Sequence, residues 1–390
     1  MAKTFLLIGY FFVALFVIIF LQGPSFVDLS ATDLYGGFYR PLVGGDEAYW
    51  DAASQSLTFS IDTVSSLSFY EFFLGYLDIG GRYASSSFYL FYLSFLNSLT
   101  LQNPSLTLIL KYVFSCFVIF ALYCKSVKNL NYAKKDLKIM YCCSFSLLIV
   151  SIHPFFLWLS HSFLRDDLIV LLVSLTMYIY CLHFSCLLDR TRYLFIMLLL
   201  CIIALNFRPY LVSIPLIMLF SSLFVDFALN LLRNYRLSVY KIFTLLLVTS
   251  VLSLFIYISL VYLQLPQFSN VLVATFTGFF RPSVLNVLFS RIYAFEPLRI
   301  VYLLHFAFVI IFLFAISLRL LRPIRLNEVL LLLPLILSDL TYRFIVNLSS
   351  YDIAGPRQFL AVLPIDLFIF AYLVFPFNRP NSSIVRLTRF

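Results

Sequence analysis

Long apolar blocks alternate with short polar ones along this chain. The apolar blocks run over about 5–22, 104–124, 139–160, 168–188, 193–207, 209–231, 242–264, 298–318, 326–346 and 358–377. A helix needs about 20 mostly apolar residues to cross a hydrocarbon core of about 30 Å, so each block predicts a transmembrane helix. The block 193–207 is short and predicts a tilted or broken span, with the next one opening at Pro209. No polar tract is long enough for a separate soluble domain. The predicted fold class is all-α: a polytopic transmembrane bundle of about ten spans. It forms one domain over 1–377, followed by a short basic tail, 378–390.

The polar blocks are of two kinds. One kind is basic: Lys125–Lys138 with five lysines, Asp189–Arg192, Arg233–Lys241, Arg319–Arg325, and the tail with Arg379, Arg386 and Arg389. These alternate with the other loops. Lysine and arginine concentrate on the cytoplasmic side of membrane proteins, which places both termini inside and the remaining loops outside. Residues 84–101 test the scheme, because they are apolar enough to cross. A crossing there would put the five-lysine loop outside. They are therefore expected to lie as an interfacial helix at the end of a long first outer loop, 23–103, where their Tyr, Phe, Ser and Asn content suits a membrane surface. Residues 5–22 follow Lys3 and are not followed by a small-x-small cleavage pattern, so they read as a retained signal anchor.

Composition agrees. The chain has 390 residues, of which 62% are hydrophobic and 12% charged, against about 45–50% and 25% in soluble domains. The net charge of +9 is accounted for by the basic loops, and with no basic polar face no nucleic-acid partner is expected. The seven cysteines lie within or at the ends of apolar blocks and the four histidines are scattered. Neither set has metal-ligand or disulfide-framework spacing.

The candidate chemistry lies in the outer loops. Gly44-Gly45-Asp46-Glu47 opens an aromatic segment with two adjacent carboxylates; they suit general-base work on a hydroxyl or mark an acidic helix start. His161 to Asp167 supplies Arg165, Asp166 and Asp167 between two spans, where Arg165 could pair locally with either acid. Asn206-Phe207-Arg208-Pro209-Tyr210 sets an arginine at a helix start, which suits an anion or a snorkelling anchor. Arg281, Arg291 and Arg357 complete a cationic outer rim fit for a lipid phosphate. Lys111, Asp339 and Arg343 are charges inside spans and thus site or pathway candidates, although Asp339 and Arg343 are spaced to pair on one helix. Asp226 and Asp366 have no obvious partner and are assigned no role.

This order of features resembles the GT-C glycosyltransferases that use polyprenyl-phosphate sugars, such as protein O-mannosyltransferases and aminoarabinose transferases. Asp46-Glu47 matches their Asp-Glu pair opening a large outer loop, 84–101 their interfacial helix, and Pro154 to Asp167 their second acidic loop. Gly355-Pro356-Arg357 running into Leu363-Pro364 matches the stretch before a late span. The resemblance implies an enzyme of cell-surface glycan assembly at the outer face of the cytoplasmic membrane. Its donor would be a polyprenyl-phosphate- or diphosphate-linked sugar and its acceptor a glycan, lipid or protein. Asp46, Glu47, Asp166 and Asp167 would be the catalytic set, with Arg165, Arg208, Arg281, Arg291 and Arg357 at the donor phosphate. Glu47 and Asp166 or Asp167 would position the acceptor or a divalent cation. An O-antigen or exopolysaccharide polymerase would use the same outer arginines. A lipid-linked glycan transporter is a third reading, although the chain shows none of the internal repeats common in such folds.

Overall fold

The computed structural model of the chain describes residues 76–79, 82–85, 87–101, 104–130, 166–235, 326–349 and 359–374, with Thr275 and ten helical positions within 303–317. The described residues are overwhelmingly helical. They include α1 (Ser87–Leu99), α2 (Pro104–Leu130), α3 (Asp166–Phe184), α4 (Arg190–Phe207), α5 (Ser213–Tyr235), α6 (Leu326–Ser349) and α7 (Leu363–Val374). Stretches of α2, α3, α4, α5 and α6 are long and apolar enough to cross a membrane. The predicted spans 5–22, 139–160 and 242–264 lie outside the described residues, as does most of 298–318. The described part of 358–377 is α7 and a preceding 3-10 turn, Leu360–Val362.

Residues 84–101 do not make a span. Helix α1 has 13 residues, about 20 Å of length against the roughly 30 Å of a bilayer core. It follows a short antiparallel hairpin, β1 (Tyr76–Ile79) and β2 (Arg82–Ser85), which the all-α reading did not include. Ile79 pairs with Arg82, which leaves the sequence Gly80-Gly81 between the strands, a favoured pair for two-residue hairpin connections. The corner from α1 to α2 is tied by side chains: the Thr107 hydroxyl donates to Asn97 Oδ1 at 2.8 Å and meets the Thr100 hydroxyl at 2.6 Å.

Helix α3 is the centre of the bundle. It packs against α2 most extensively and also touches α4, α5 and α7, while α5 packs along α6. The buried core runs through all of them, with Tyr89, Met177, Tyr193, Met218, Leu335 and Ile365 fully covered. Two local signals shape the path from α3 to α5. After α3 the chain reverses through Cys186 in the left-handed region (φ 56°), and Asp189 then caps α4 by accepting from the Arg192 N–H at 3.2 Å. At the far end of α4, Pro209 bars the preceding residue from helical geometry. Arg208 is accordingly extended (φ −158°, ψ 129°), and α4 stops there. A 3-10 turn, Pro209–Val212, then leads into α5. The block 193–207 is thus an 18-residue helix, Arg190–Phe207, with its break at Arg208.

Helix α6 carries Pro334 in its interior, where the ring removes a backbone donor and loosens the preceding turn. In that turn Leu331 O accepts from the Tyr180 hydroxyl of α3 at 2.8 Å.

Candidate functional site

Charged side chains collect at one end of the described bundle. Ion pairs there join the start of α2 to the start of α3, the start of α3 to Arg208 at the end of α4, and the second half of α6 to the start of α7, and a Tyr210–Tyr342 ring contact links the last two groups.

At the start of α3, Asp166 Oδ1 lies 3.3 Å from Arg208 Nη2. Arg208 Nη1 donates to the Tyr210 hydroxyl at 2.7 Å. The guanidinium carbon sits 5.8 Å from the Tyr210 ring centroid, and that ring contacts Tyr342 of α6 at 5.9 Å. The break at Arg208 is what permits this: an extended residue between two helices can swing its side chain across to α3. Burial disfavours the Arg208 cation, but the Asp166 carboxylate and the Tyr210 hydroxyl outweigh it and hold its pKa above the ordinary guanidinium value. A guanidinium keeps its charge at any ordinary pH, so the cation is permanent. The Asp166 side chain is 4% exposed and that of Arg208 is 15% exposed, so the arginine is the member that reaches the surface of the cluster.

The adjacent Asp167 has a different setting. Its Oδ1 is 3.1 Å from Lys111 Nζ, with both side chains fully buried, and its Oδ2 accepts from the Ser115 hydroxyl at 2.8 Å. Helix α1 lies over this pair, with Lys111 Nζ 5.7 Å from the Tyr89 ring. Tyr92 of α1 is near enough that burial first, and then the Asp167 carboxylate, push its phenol well above the usual range. A third group lies beyond Tyr342. Arg343 Nε donates to Asp339 Oδ1 and Nη2 to Asp366 Oδ2, both at 2.7 Å, and the guanidinium lies 4.9 Å from the Phe359 ring.

Of the site residues expected from sequence, Asp166, Asp167 and Arg208 are brought together in this cluster. Asp46, Glu47, Arg165, Arg281, Arg291 and Arg357 lie outside the described residues. Among the described residues Asp166 is paired with Arg208 and Asp167 with Lys111, each on another helix or at its end. Asp339 and Arg343 form the expected pair along one helix, with Asp366 added from α7. Two expectations are corrected: Asp366 has Arg343 as partner, and Asp226 has His183, whose Nε2 lies 3.1 Å from its Oδ2 at the opposite end of the bundle. His183 also stacks on Tyr193 with ring centroids 4.1 Å apart. Sequence reading assigned nothing to Ser115, Tyr210 or Tyr342. Tyr210 had a signal, two residues past Arg208 across a proline; the other two are ordinary span residues until their neighbours are known.

Among the described residues no group of three or more His, Cys, Asp or Glu is placed to hold a metal ion. The donor set gives the reason: Asp166 and Asp167 are each neutralised by a cation already, and a divalent ion needs several oxygen ligands with charge to spare. These residues by themselves do not fit the divalent cation that the resemblance allowed. Comparison of the chain with protein-family models, with curated proteins and with solved structures finds no match.

Proposed function

We propose that the chain is a membrane glycosyltransferase that moves a sugar from a polyprenyl-phosphate- or diphosphate-linked donor to a hydroxyl acceptor, in glycan assembly at the outer face of the cytoplasmic membrane. The observation that supports this best is Arg208: a permanent guanidinium at a helix break, held by Asp166 and Tyr210, with part of its side chain still open. Two of its five N–H groups are used by those partners, and a guanidinium fork matches phosphate oxygens. A lipid donor would enter laterally between helices whose outer faces are apolar, such as α4 with Phe195, Leu198 and Leu205 exposed.

In the reaction, the acceptor hydroxyl loses its proton to Asp46 as its oxygen bonds to the anomeric carbon. The bond from that carbon to the phosphate oxygen breaks, and the phosphate leaves with the electron pair. Negative charge develops on the leaving oxygen, and a fixed cation there stabilises the transition state. Arg208 supplies that cation, with Arg281 and Arg357 joining it from the outer rim. Glu47 orients the acceptor. Asp166 fixes Arg208, and Asp167 anchors the start of α3 to α2 through Lys111.

The test uses purified full-length protein given a sugar on polyprenyl monophosphate or an oligosaccharide on polyprenyl diphosphate. Transfer from either supports the reading, and product length separates single transfer from polymerisation. Asp46→Asn should lower turnover by about 10²-fold or more while leaving donor binding intact. Full transfer activity in folded, inserted Asp46→Asn and Glu47→Gln proteins would overturn the assignment.

A further inference from the structure

The group around Arg343 differs in charge from the two pairs beside it. Lys111 with Asp167, and Arg208 with Asp166, match one cation to one carboxylate. Arg343 bridges two: its Nε donates to Asp339 of α6 and its Nη2 to Asp366 of α7, both at 2.7 Å. Among the described residues it is the one cation that either carboxyl group meets. The Arg343 side chain is fully buried, and those of Asp339 and Asp366 are 11% and 9% exposed. With all three ionised, the group would carry a whole excess negative charge inside the bundle.

A buried charge without a counter-charge is costly, and an acid so placed takes up a proton instead. The two carboxyl groups also share one site, since Nε and Nη2 are bonded to the same carbon, and a like charge so close disfavours a second ionisation. Asp366 stands in the first turn of α7, but a helix start offers about half a positive charge, too little to cancel a whole one. The titratable groups facing the triad do not supply the rest. Beyond Tyr342 lie the Tyr210 hydroxyl and the balanced Arg208–Asp166 pair. The Tyr123 hydroxyl of α2 reaches Leu367 O of α7 at 3.3 Å. Residues 213–224 of α5, which packs along α6, include no titratable group. A metal ion would need several oxygen ligands, and the two nearest oxygens already accept from Arg343; a proton needs one.

We infer that Asp339, Arg343 and Asp366 form a proton-binding site, in which one proton shared by the two carboxyl groups balances the triad and holds α7 against α6. Loss of the proton leaves like charges facing each other on α6 and α7 and loosens their contact. The small open edge of each carboxyl group gives the proton its way in and out. The site takes no part in glycosyl transfer and stands whether or not that reading holds.

The experiment compares wild type, Asp339→Asn and Asp366→Asn as full-length protein in lipid nanodiscs, by infrared spectroscopy at neutral pH. A protonated carboxyl has a C=O stretch distinct from that of a carboxylate, and it shifts in deuterated water. Wild type should show the band of one protonated carboxyl that both variants lack, because either asparagine leaves one carboxylate matched to one guanidinium. Raising the pH should remove the band from wild type. Stability follows with a definite sign. Above the ordinary carboxylate range, about 4, folded wild type holds one proton more than the unfolded chain, so its stability falls as pH rises until the band is gone. Over that window the unfolding equilibrium of wild type, relative to either variant in mixed micelles, should shift by up to about tenfold per pH unit. No band difference between wild type and the variants would mean that both carboxylates are ionised, and it overturns the site. A band that persists in either variant puts the proton on one carboxyl group alone and overturns the sharing. Each variant tests the site independently, so if one fails to fold the other decides.

Discussion

Replacing Lys111 by methionine removes the cation from a pair in which both side chains are fully buried and the charges are 3.1 Å apart. At an effective dielectric of about 20, two unit charges at that distance attract by about 5 kcal/mol. Most of this offsets the desolvation of the two ions, so the pair as a whole contributes little net stability. Removing one partner is different, because the Asp167 carboxylate stays buried with its neutral donors, chiefly the Ser115 hydroxyl, left to hold it. Breaking a buried pair in this way costs about 3–5 kcal/mol. Lys111→Met should therefore be destabilised by about that amount. Asp167→Asn keeps an acceptor for Ser115 but takes the carboxylate away from the buried ammonium, and should be destabilised by a similar or smaller amount. The double variant has no buried charge at this point and should recover a large part of the loss, giving a coupling energy of about 2–3 kcal/mol. Reversible unfolding in mixed micelles, followed by tryptophan fluorescence or circular dichroism, measures all four proteins. A Lys111→Met protein within about 0.5 kcal/mol of wild type, or a double variant whose losses simply add, would refute the account of Asp167 as an anchored group.

Arg343→Met should be as damaging as Lys111→Met, since it strands two carboxylates, Asp339 and Asp366; adding Asp339→Asn and Asp366→Asn should recover much of the loss in the same unfolding assay. Arg208→Met should raise the donor KM and lower turnover by about 10²–10³-fold, read with a polyprenyl-linked donor, whereas Arg208→Lys should recover only part of this because an ammonium cannot form the guanidinium fork. Tyr210→Phe should retain the fold and raise the donor KM modestly, as Arg208 loses one of two partners that orient it. A cysteine placed at Lys134 should be labelled by membrane-impermeant reagent only from the cytoplasmic side; labelling from outside would invert the topology and the site together.

Much of the architecture is legible in the amino-acid sequence. The blocks that predict spans over 168–188, 193–207, 209–231 and 326–346 correspond to α3, α4, α5 and α6 within a few residues. The reason is that apolar length is a local property and the bilayer demands it directly. The stretch 84–101 is readable too, as a helix short of a span, because the charge of the following loop constrains it. The Arg208 break follows from one local rule, the exclusion of helical geometry before Pro209. The hairpin Tyr76–Ile79 and Arg82–Ser85 was missed, although Gly80-Gly81 was there to suggest it.

Partner choice is the part that could not be read. Arg165, Asp166 and Asp167 are consecutive, and proximity along the chain pointed to pairing among them. Asp166 meets Arg208 and Asp167 meets Lys111, partners that proximity did not suggest, because residues at successive helix positions face about 100° apart and so address different neighbours. Asp366 was without a partner in sequence for the same reason: Arg343 is 23 residues away and on another helix. The sequence by itself determined that the described helices α2 to α6 are long and apolar enough to cross a membrane, about where they run and that charge gathers near their ends, since each depends on residues close together in the chain. Only the tertiary structure decided which charge neutralises which and that Arg208 keeps an open edge, since those depend on which helix packs beside which.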